Sequence, residues 1–206
     1  DNVFVTGNTV IDAFQYTVRE NYRYKNEVLR NLTFDGKRYI LMTAHRRENL
    51  GAPLENICRS VLRLVRSNPD VEVIYPVHLN PAVRETAFGI LGNDPRIHLI
   101  DPIDVEDMPN IMSRSYLVMT DSGGLQEEGP HFGIPVVVLR TETERPEAVE
   151  AGTVVVAGTE EGVIFRIANE LLNDESKYEK MARSINPYGD GKASERIIER
   201  ILAWND

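Results

Sequence analysis

Three short segments place side chains that can bind an anion directly after an apolar run. The first, T-A-H-R-R-E-N at residues 43–49, brings a histidine and two arginines together in an otherwise acidic chain. Guanidinium and imidazolium groups pair well with phosphate oxygens, so this segment suits a phosphorylated ligand. A solvated loop whose charges bind nothing is the alternative, and taken alone the segment leaves both interpretations open.

The second segment, T-D-S-G-G-L-Q-E-E at residues 120–128, joins an apolar run to a helical pattern through a glycine pair. Glycines let a diphosphate approach the backbone, and the free N–H groups of a helix start favour anionic oxygens. Ser122 adds a hydroxyl donor and can cap the helix, while Glu128 can accept hydrogen bonds from ribose hydroxyls. An ordinary tight turn followed by a surface glutamate is the alternative. Neither a G-x-G-x-x-G fingerprint nor a Walker loop is present.

The third segment, R-T-E-T-E-R-P-E at residues 140–147, also follows an apolar run. Arg145 can reach an anion held by the glycine turn. In the alternative interpretation, Glu144 or Glu147 neutralises Arg145 and the arginine has no ligand.

The remaining histidines divide into two groups. His78 directly follows the apolar run at residues 71–77, so we expect it at the same rim as the three segments. His98 lies within a strand pattern and His131 within a helical pattern, which predicts structural roles for both.

These segments need a scaffold that brings them together, and the hydrophobic periodicity predicts one. Short apolar runs occur at residues 39–43, 71–77, 97–100, 116–119, 136–139 and 154–156. Helical patterns separate them, such as the i, i+3, i+4, i+7 spacing of Leu54, Ile57, Cys58, Val61, Leu62 and Val65. Apolar strands alternating with helices indicate one doubly wound α/β domain around a parallel sheet. Ligands bind outside the carboxyl ends of such strands, where all three segments lie.

Smaller signals give finer predictions. Pro53 suits the first turn of a helix, and Asn80-Pro81 supplies a cap and a first-turn proline for another. Thr159 is expected to cap a helix whose apolar face consists of Val163, Ile164, Ile167, Leu171 and Leu172. Val3-Phe4-Val5 is predicted to be a strand.

The last helix, at residues 193–204, follows a turn-rich stretch at residues 186–191. Its apolar residues share one side: Ala193, Ile197, Ile198, Ile201 and Leu202. Such a helix can pack back on this domain or leave it for a neighbouring one, and the pattern leaves both possibilities open.

Composition restricts the function classes. The chain has 206 residues with 23 Lys and Arg against 32 Asp and Glu, a net charge of −9 that argues against nucleic-acid and membrane-surface partners. The single cysteine, Cys58, excludes an internal disulfide and fits a reducing cytoplasm. No apolar run approaches the roughly 20 residues of a membrane span. Because the chain opens without Met and directly on an apolar pattern, we expect residue 1 to lie within a longer polypeptide.

In order and spacing, the segments resemble the C-terminal half of the non-hydrolysing UDP-N-acetylglucosamine 2-epimerases. The resemblance rests on V-T-G-N-T-V-I-D at residues 5–12, T-A-H-R-R-E-N, T-D-S-G-G-L-Q-E-E, T-E-R-P-E and N-P-Y-G-D-G. It covers essentially the whole chain and implies a glycosyltransferase-B-like fold of two Rossmann-like halves with the site between them. Residues 1–206 would form the UDP-binding half, with residues 186–206 as a crossing segment and terminal helix. The N-terminal domain would be absent from this chain.

The resemblance also implies residue roles. UDP phosphates are expected at Ser122, Gly123 and Gly124, and the ribose at Glu128. His45 and Arg145 match catalytic positions that line the same substrate site. Ile103 and Met108 match positions beside the uracil, although the family pattern leads us to expect Phe where Met108 stands; Met can still pack on a base. Arg46 and His78 match positions that hold a second UDP-sugar as an allosteric activator.

The reaction implied by the family is inversion at C2 of UDP-N-acetylglucosamine, through elimination of UDP and its re-addition to a 2-acetamidoglucal. This half would stabilise the departing UDP through helix N–H groups, Arg145 and protonated His45. The acid and base carboxylates lie in the other half, so this half alone is expected to be inactive. No metal or redox cofactor is implied. The complete enzyme is expected to be a cytoplasmic homodimer that serves polysaccharide biosynthesis.

Two alternatives stay open. A UDP-sugar glycosyltransferase of the same fold would also bind UDP through a glycine turn and a glutamate on the following helix. A UDP-sugar-binding module without catalysis is a different class of protein.

Overall fold

A computed structural model describes residues 3–204, and one parallel sheet runs through them. Its strands are β1 (Arg38–Thr43), β2 (Val71–Pro76), β3 (Ile97–Ile100), β4 (Leu117–Thr120), β5 (Val136–Val138) and β6 (Val154–Val156). Their order is β3-β2-β1-β4-β5-β6, and every neighbouring pair is parallel. The predicted doubly wound α/β fold is therefore confirmed, and each of the six apolar runs matches one strand to within one residue at either end.

Helices cover both faces of the sheet. They are α1 (Thr9–Thr17), α2 (Glu27–Arg30), α3 (Ala52–Ser67), α4 (Pro81–Leu91), α5 (Asp107–Met112), α6 (Gly123–Glu128), α7 (Pro146–Glu150), α8 (Glu161–Asn173), α9 (Glu175–Ala182) and α10 (Ala193–Ala203). Two short 3-10 turns, Arg47–Asn49 and Gly129–Phe132, complete the site loops.

Helices bury both faces of the sheet, and successive residues of a strand point into opposite layers. Ile40 and Met42 of β1 pack into the layer formed by α3, α4 and α8. Tyr39 and Leu41 pack into the opposite layer, with residues of α2 and α5. Cys58 is fully buried in the first layer, and this burial raises the pKa of its thiol to about 12.

The strand order creates one place where loops diverge. The chain leaves β1 toward β2 on one side and leaves β4 toward β5 on the other, while β1 and β4 are neighbours. In open parallel sheets the crevice at such a switch point is the usual ligand site. The loops after β1 and β4 are the first two of the three segments for which the sequence predicts anion binding.

Some helix starts follow the sequence signals and one does not. Pro53 lies in the first turn of α3, and the Asn80 side chain accepts a hydrogen bond from the Ala82 N–H at 3.0 Å. Thr159 is not a cap, because α8 begins at Glu161 with Glu160 preceding it and no side-chain cap. Val163 is exposed, since it is turned about 100° from Ile164 on a helix.

The prediction of a strand at residues 3–5 is wrong. Val3 and Val5 are exposed and pair with no strand of the described sheet. The chain continues instead through Gly7 to Asn8, whose N–H donates to the Tyr188 carbonyl at 2.7 Å. Residues 7–8 and 186–191, the chain-end segments, thus lie against each other.

Two glycines allow the chain-end segments to approach so closely. Gly7 and Gly189 both have positive φ, 101° and 135°. A Cβ on Gly7 would lie 3.4 Å from the Gly189 Cα and 3.3 Å from the Tyr188 carbonyl oxygen. A side chain at either position would strain the backbone.

Helix α10 is fixed by α1 at its start. The Asp12 carboxylate accepts the N–H groups of Ala193 and Ser194 at 3.0 and 2.6 Å. The Ser194 N–H in particular lowers the pKa of Asp12. Further along α10, Ile198 and Leu202 are exposed, so the apolar stripe predicted from the sequence is largely uncovered. Residues 205–206 of the expected crossing segment lie outside the described residues.

Candidate functional site at the carboxyl edge of the sheet

Asp121 connects the loop after β1 to the loop after β4. It is fully buried, and its Oδ2 accepts the N–H groups of His45 and Arg46, each at 2.7 Å, and the Asn49 amide at 3.0 Å. At the strand ends, the hydroxyls of Thr43 and Thr120 share a hydrogen bond of 2.6 Å. The T-A-H-R-R-E-N loop is therefore held against the strand that leads to the glycine turn.

The other oxygen of Asp121 has no such partners. Within residues 3–204, Asp121 Oδ1 is the one buried side-chain oxygen or nitrogen without a hydrogen bond. The Nε2 of His45 lies 4.0 Å from it. An unpaired buried carboxylate oxygen costs free energy. Asp121 Oδ1 is therefore an acceptor without a donor, and it lies beside the exposed imidazole of His45.

His45, His78 and Arg46 form the outer part of the rim. The rings of His45 and His78 lie 5.5 Å apart between centroids, as expected for residues after neighbouring strands. The His78 Nδ1 accepts the Asn80 N–H at 3.1 Å. Arg46 donates from Nε to the Asp121 carbonyl at 3.3 Å, so the three residues project from one edge.

Arg145 and Glu128 flank the glycine pair. A Cβ added at Gly123 would lie 3.5 Å from Nη2 of Arg145, and one at Gly124 would lie 3.2 Å from Oε1 of Glu128. The glycines thus keep the backbone open beneath a cationic and an acidic side chain. Burial, aided by the neighbouring Glu127, raises the pKa of Glu128 above its ordinary value.

The ion partner of Arg145 is neither of the two carboxylates considered from sequence. Its Nε donates to Oε1 of Glu127, which lies on α6, and its Nη1 donates to the backbone carbonyl of Glu144 at 3.0 Å. The hydrogen bond to Glu127 raises the pKa of Arg145 further above its ordinary value. Glu147 instead accepts the Tyr188 hydroxyl at 3.0 Å.

Side chains of α6 also fix the loop that carries Arg145. The Thr143 hydroxyl donates to the Gln126 amide oxygen and accepts the Arg145 N–H at 3.0 Å. Arg140 reaches across to Glu48 at 2.6 Å, joining this loop to T-A-H-R-R-E-N. All three segments are therefore mutually bound.

Ser122 stands directly before α6, but its hydroxyl does not cap the helix. Its N–H donates to the Thr120 hydroxyl at 2.9 Å, while among the described residues its own hydroxyl makes no capping hydrogen bond and so can serve a ligand. Ile103 and Met108 lie in the connection after β3 and at the start of α5, half-buried against the second core layer. The structure therefore brings His45, Arg145, Glu128 and the glycine turn to one edge, with the two uracil candidates on a separate connection.

His98 and His131, the two histidines predicted to be structural, both make side-chain contacts within the fold. His98 pairs with Glu72 at 2.6 Å, and His131 packs on Phe14 with ring centroids 5.4 Å apart. Burial lowers the pKa of His131.

Sequence reasoning missed Asp121, Glu127 and Gln126 as organisers of the site. Asp121 lies inside the second motif, directly after the strand, and this position is the signal that could have identified it. The roles of Glu127 and Gln126 depend on which side chains α6 turns toward the Arg145 loop, and no spacing rule specifies that.

Two features are absent from the part of the chain that the structure describes. No group of three or more His, Cys, Asp or Glu side chains in residues 3–204 is arranged to hold a metal ion. Over the same range, none of the helices has the length and apolar character needed to cross a membrane.

Taken together, the sheet order and the switch-point loops define a Rossmann-like α/β protein that gathers cationic side chains and a glycine turn at one edge of its sheet. A family model described as UDP-N-acetylglucosamine 2-epimerase matches residues 1–202. The chain belongs to this family, as the motifs predict.

Individual relatives agree with this assignment. A Thermotoga maritima protein is 62% identical over 200 residues, covering 97% of this chain and 53% of the relative. The Bacillus subtilis UDP-N-acetylglucosamine 2-epimerase is 52% identical, covering 98% of this chain and 52% of the relative. The structure of the Neisseria meningitidis epimerase bound to UDP-GlcNAc matches with a TM-score of 0.87 and 42% identity. The match covers 98% of this chain and 55% of that one. The chain therefore spans about half the length of these proteins.

Proposed function

We propose that this chain is the UDP-binding half of a UDP-N-acetylglucosamine 2-epimerase, which interconverts UDP-N-acetylglucosamine and UDP-N-acetylmannosamine. The observation that carries the proposal is the placement of Arg145 and Glu128 on either side of the glycine pair. Family membership supports the substrate, since the Neisseria meningitidis relative binds UDP-GlcNAc. The share of each relative that is covered supports a half-enzyme.

In this proposal the glycine turn binds the diphosphate. The N–H groups of Gly123 and Gly124 and the Ser122 hydroxyl donate to phosphate oxygens, with Nη2 of Arg145 above them. Glu128 accepts hydrogen bonds from the ribose hydroxyls one turn further along α6. Its partial burial supports this role, because a ligand hydroxyl can replace the water that the buried carboxylate lacks.

The chemical task of this half is to stabilise UDP as it departs. Negative charge grows on the diphosphate as the C1–O bond breaks, and Arg145 and protonated His45 oppose that charge. The proton at C2 is removed and returned by carboxylates of the other half, so the 206-residue chain binds UDP without epimerising the sugar. Re-addition of UDP to the 2-acetamidoglucal on the opposite face completes the inversion.

Two further assignments belong to the same proposal. Ile103 and Met108 pack beside the uracil, and Met108 supplies a flexible thioether contact instead of a stacked ring. Arg46 and His78 receive a second UDP-sugar as an allosteric activator, and their position on the rim beside His45 supports a neighbouring ligand.

The complete enzyme is proposed to have two domains. Residues 186–206 would cross to the N-terminal half, and the exposed Ile198 and Leu202 of α10 support this role. The acidic composition supports the absence of a nucleic-acid partner, and the single buried cysteine supports a cytoplasmic location. We propose a homodimer as the state of the complete enzyme.

Calorimetric titration of the 206-residue chain tests the proposal. We expect UDP to bind weakly, ADP more weakly still because the uracil contacts are lost, and UDP-N-acetylglucosamine to remain unconverted. Turnover by the pure chain would show that the acid and base groups lie here. Absence of UDP binding would contradict the assignment of the glycine turn.

A further inference from the structure

Glu127 is bonded to three separate parts of the chain at once. Its Oε1 accepts from Nε of Arg145, its Oε2 accepts from the Asn8 amide, and its backbone carbonyl accepts from the Asn186 amide at 2.9 Å. The Glu127 side chain is 10% exposed. The nearly buried carboxylate of Glu127 therefore joins the arginine of the candidate site to Asn8, and the backbone carbonyl of the same residue binds the second chain-end segment through Asn186.

The contacts around Glu127 close into a ring. The Asn8 N–H donates to the Tyr188 carbonyl at 2.7 Å, and the Tyr188 hydroxyl donates to Oε2 of Glu147 at 3.0 Å. Glu147 lies in α7, which begins directly after Arg145. The path leads from Glu127 through the chain-end segments to α7 and back to Arg145, so these members are connected by a closed series of contacts.

The ring determines which nitrogen of Arg145 is left for a ligand. Glu127 takes Nε and the Glu144 carbonyl takes Nη1, while Nη2 lies 3.5 Å from where a Cβ of Gly123 would be. Glu127 lies four residues after Gly123 on α6. The guanidinium is thus fixed to the same helix that begins at the glycine turn, rather than to its own loop alone.

We propose that Glu127 is a positioning residue for nucleoside diphosphate binding, acting through Arg145, and that Asn8 holds its carboxylate in place. The inference rests on the proposed function, because it takes Nη2 of Arg145 as a phosphate donor. A guanidinium already fixed at two nitrogens loses little side-chain freedom when it binds a ligand. Asn8, which lies outside the glycine turn, therefore contributes to UDP affinity.

Replacing Glu127 by Gln breaks the ring with little change of shape. The Gln oxygen can still accept from Arg145, but its NH2 group then faces the Asn8 amide, which is also a donor. Asn8 cannot turn over freely, because its Oδ1 already accepts the Val10 N–H at 3.0 Å. We expect E127Q to weaken UDP binding about tenfold in calorimetric titrations of the whole chain.

A second variant avoids changing the charge. Asn8→Ser keeps a hydroxyl that can cap α1 but is too short to reach Glu127. The matched control is Asn26→Ser, since Asn26 caps α2 through the same kind of bond and contacts no member of the ring. We expect N8S to weaken UDP binding severalfold and N26S to leave it unchanged, with thermal unfolding recorded for both.

A double-mutant cycle separates positioning from general damage. In an Arg145→Ala background, E127Q and N8S should have no further effect on UDP affinity, because their route to the ligand is gone. A weakening that persists in that background would overturn the inference, as would unchanged affinity in both single variants. If the unsubstituted chain failed to bind UDP, the proposed function itself would fall and the inference with it. If E127Q fails to fold, the UDP affinities of N8S, Arg145→Ala and their double variant test the inference without it.

Discussion

Two buried carboxylates at opposite ends of the sheet differ in how completely their oxygens are hydrogen-bonded. Near the amino end of β2, Glu72 accepts from Lys37 on one oxygen and pairs with His98 at 2.6 Å on the other. After the carboxyl end of β4, Asp121 accepts three donors on Oδ2 and none on Oδ1, with His45 4.0 Å away.

The difference shows how one sheet divides stability and binding between its ends. The amino end satisfies its buried charge completely, as expected where only the folded state matters. The carboxyl end keeps hydrogen-bonding capacity unmet at the loops where a ligand would lie, at a cost in stability. Variants at the two ends should therefore change different measurements.

The largest expected effect is on catalysis at the carboxyl end. Arg145→Ala in the complete two-domain enzyme should lower turnover by about 30- to 1,000-fold, or about 2–4 kcal/mol of transition-state stabilisation, because the departing UDP loses its cation. Steady-state kinetics measures this. Arg38→Ala is the matched control at the amino end, where Arg38 pairs with Asp70 at 2.5 Å. An equal loss of turnover in R38A would break the division between the two ends.

The second prediction concerns stability at the amino end. Glu72→Ala leaves Lys37 and His98 without their shared acceptor and should lower the free energy of unfolding by about 1–3 kcal/mol. UDP affinity should not change. Urea unfolding measures the first quantity and calorimetry the second. Glu55→Ala is the control, because Glu55 pairs with Arg59 at the exposed surface and the substitution should cost less than about 0.5 kcal/mol.

A smaller effect is expected from Asp121→Asn. The remaining oxygen can still accept the three loop donors, while the NH2 group replaces the unpaired oxygen beside His45. Because the carboxylate beside His45 loses its negative charge, turnover of the complete enzyme should fall about tenfold. The free energy of unfolding should change by less than about 1.5 kcal/mol. Asp101→Asn, at an exposed residue paired with Arg84, is the control. A large loss of stability with unchanged turnover would make Asp121 purely structural.

The fold was predictable because interior parallel strands are apolar along their whole length. Residues 39–43 show this pattern and form β1. Residues 3–5 show it too but form no strand, because no strand of the described sheet pairs with them, and such pairing depends on tertiary structure. The same limit applies to Thr159, since a cap is defined by where the packed helix begins.

The candidate site was predictable in its motifs but not in its pairings. Residues after strand ends meet at one edge for topological reasons, which places His45 and the glycine turn together from sequence alone. The partner of Arg145 could not be predicted in the same way. Glu127 accepts from Arg145, instead of Glu144 or Glu147, because of the direction in which α6 turns that side chain.

The smallest expected effects are on the pH dependence of stability. They have opposite signs for Glu72 at the amino end and Glu128 at the carboxyl end. Burial alone would raise the pKa of Glu72, but hydrogen bonds from Lys37 and His98 outweigh it, so the net shift is downward. Glu72 therefore stabilises the fold above its unfolded pKa of about 4.3, and this contribution is lost as pH falls through the folded value.

Glu128 behaves in the reverse sense, because burial and Glu127 raise its pKa. Its ionised form destabilises the fold at neutral pH, and this penalty disappears as pH falls through the raised value. At pH 7, Glu128→Gln should thus stabilise the chain and Glu72→Gln should destabilise it. In urea unfolding, the E72Q difference should shrink only as pH falls below about 4.3, whereas the E128Q difference should already shrink above that pH. If E128Q were destabilising at pH 7, the carboxyl end would be built for stability like the amino end, and the contrast between Glu72 and the site would be lost.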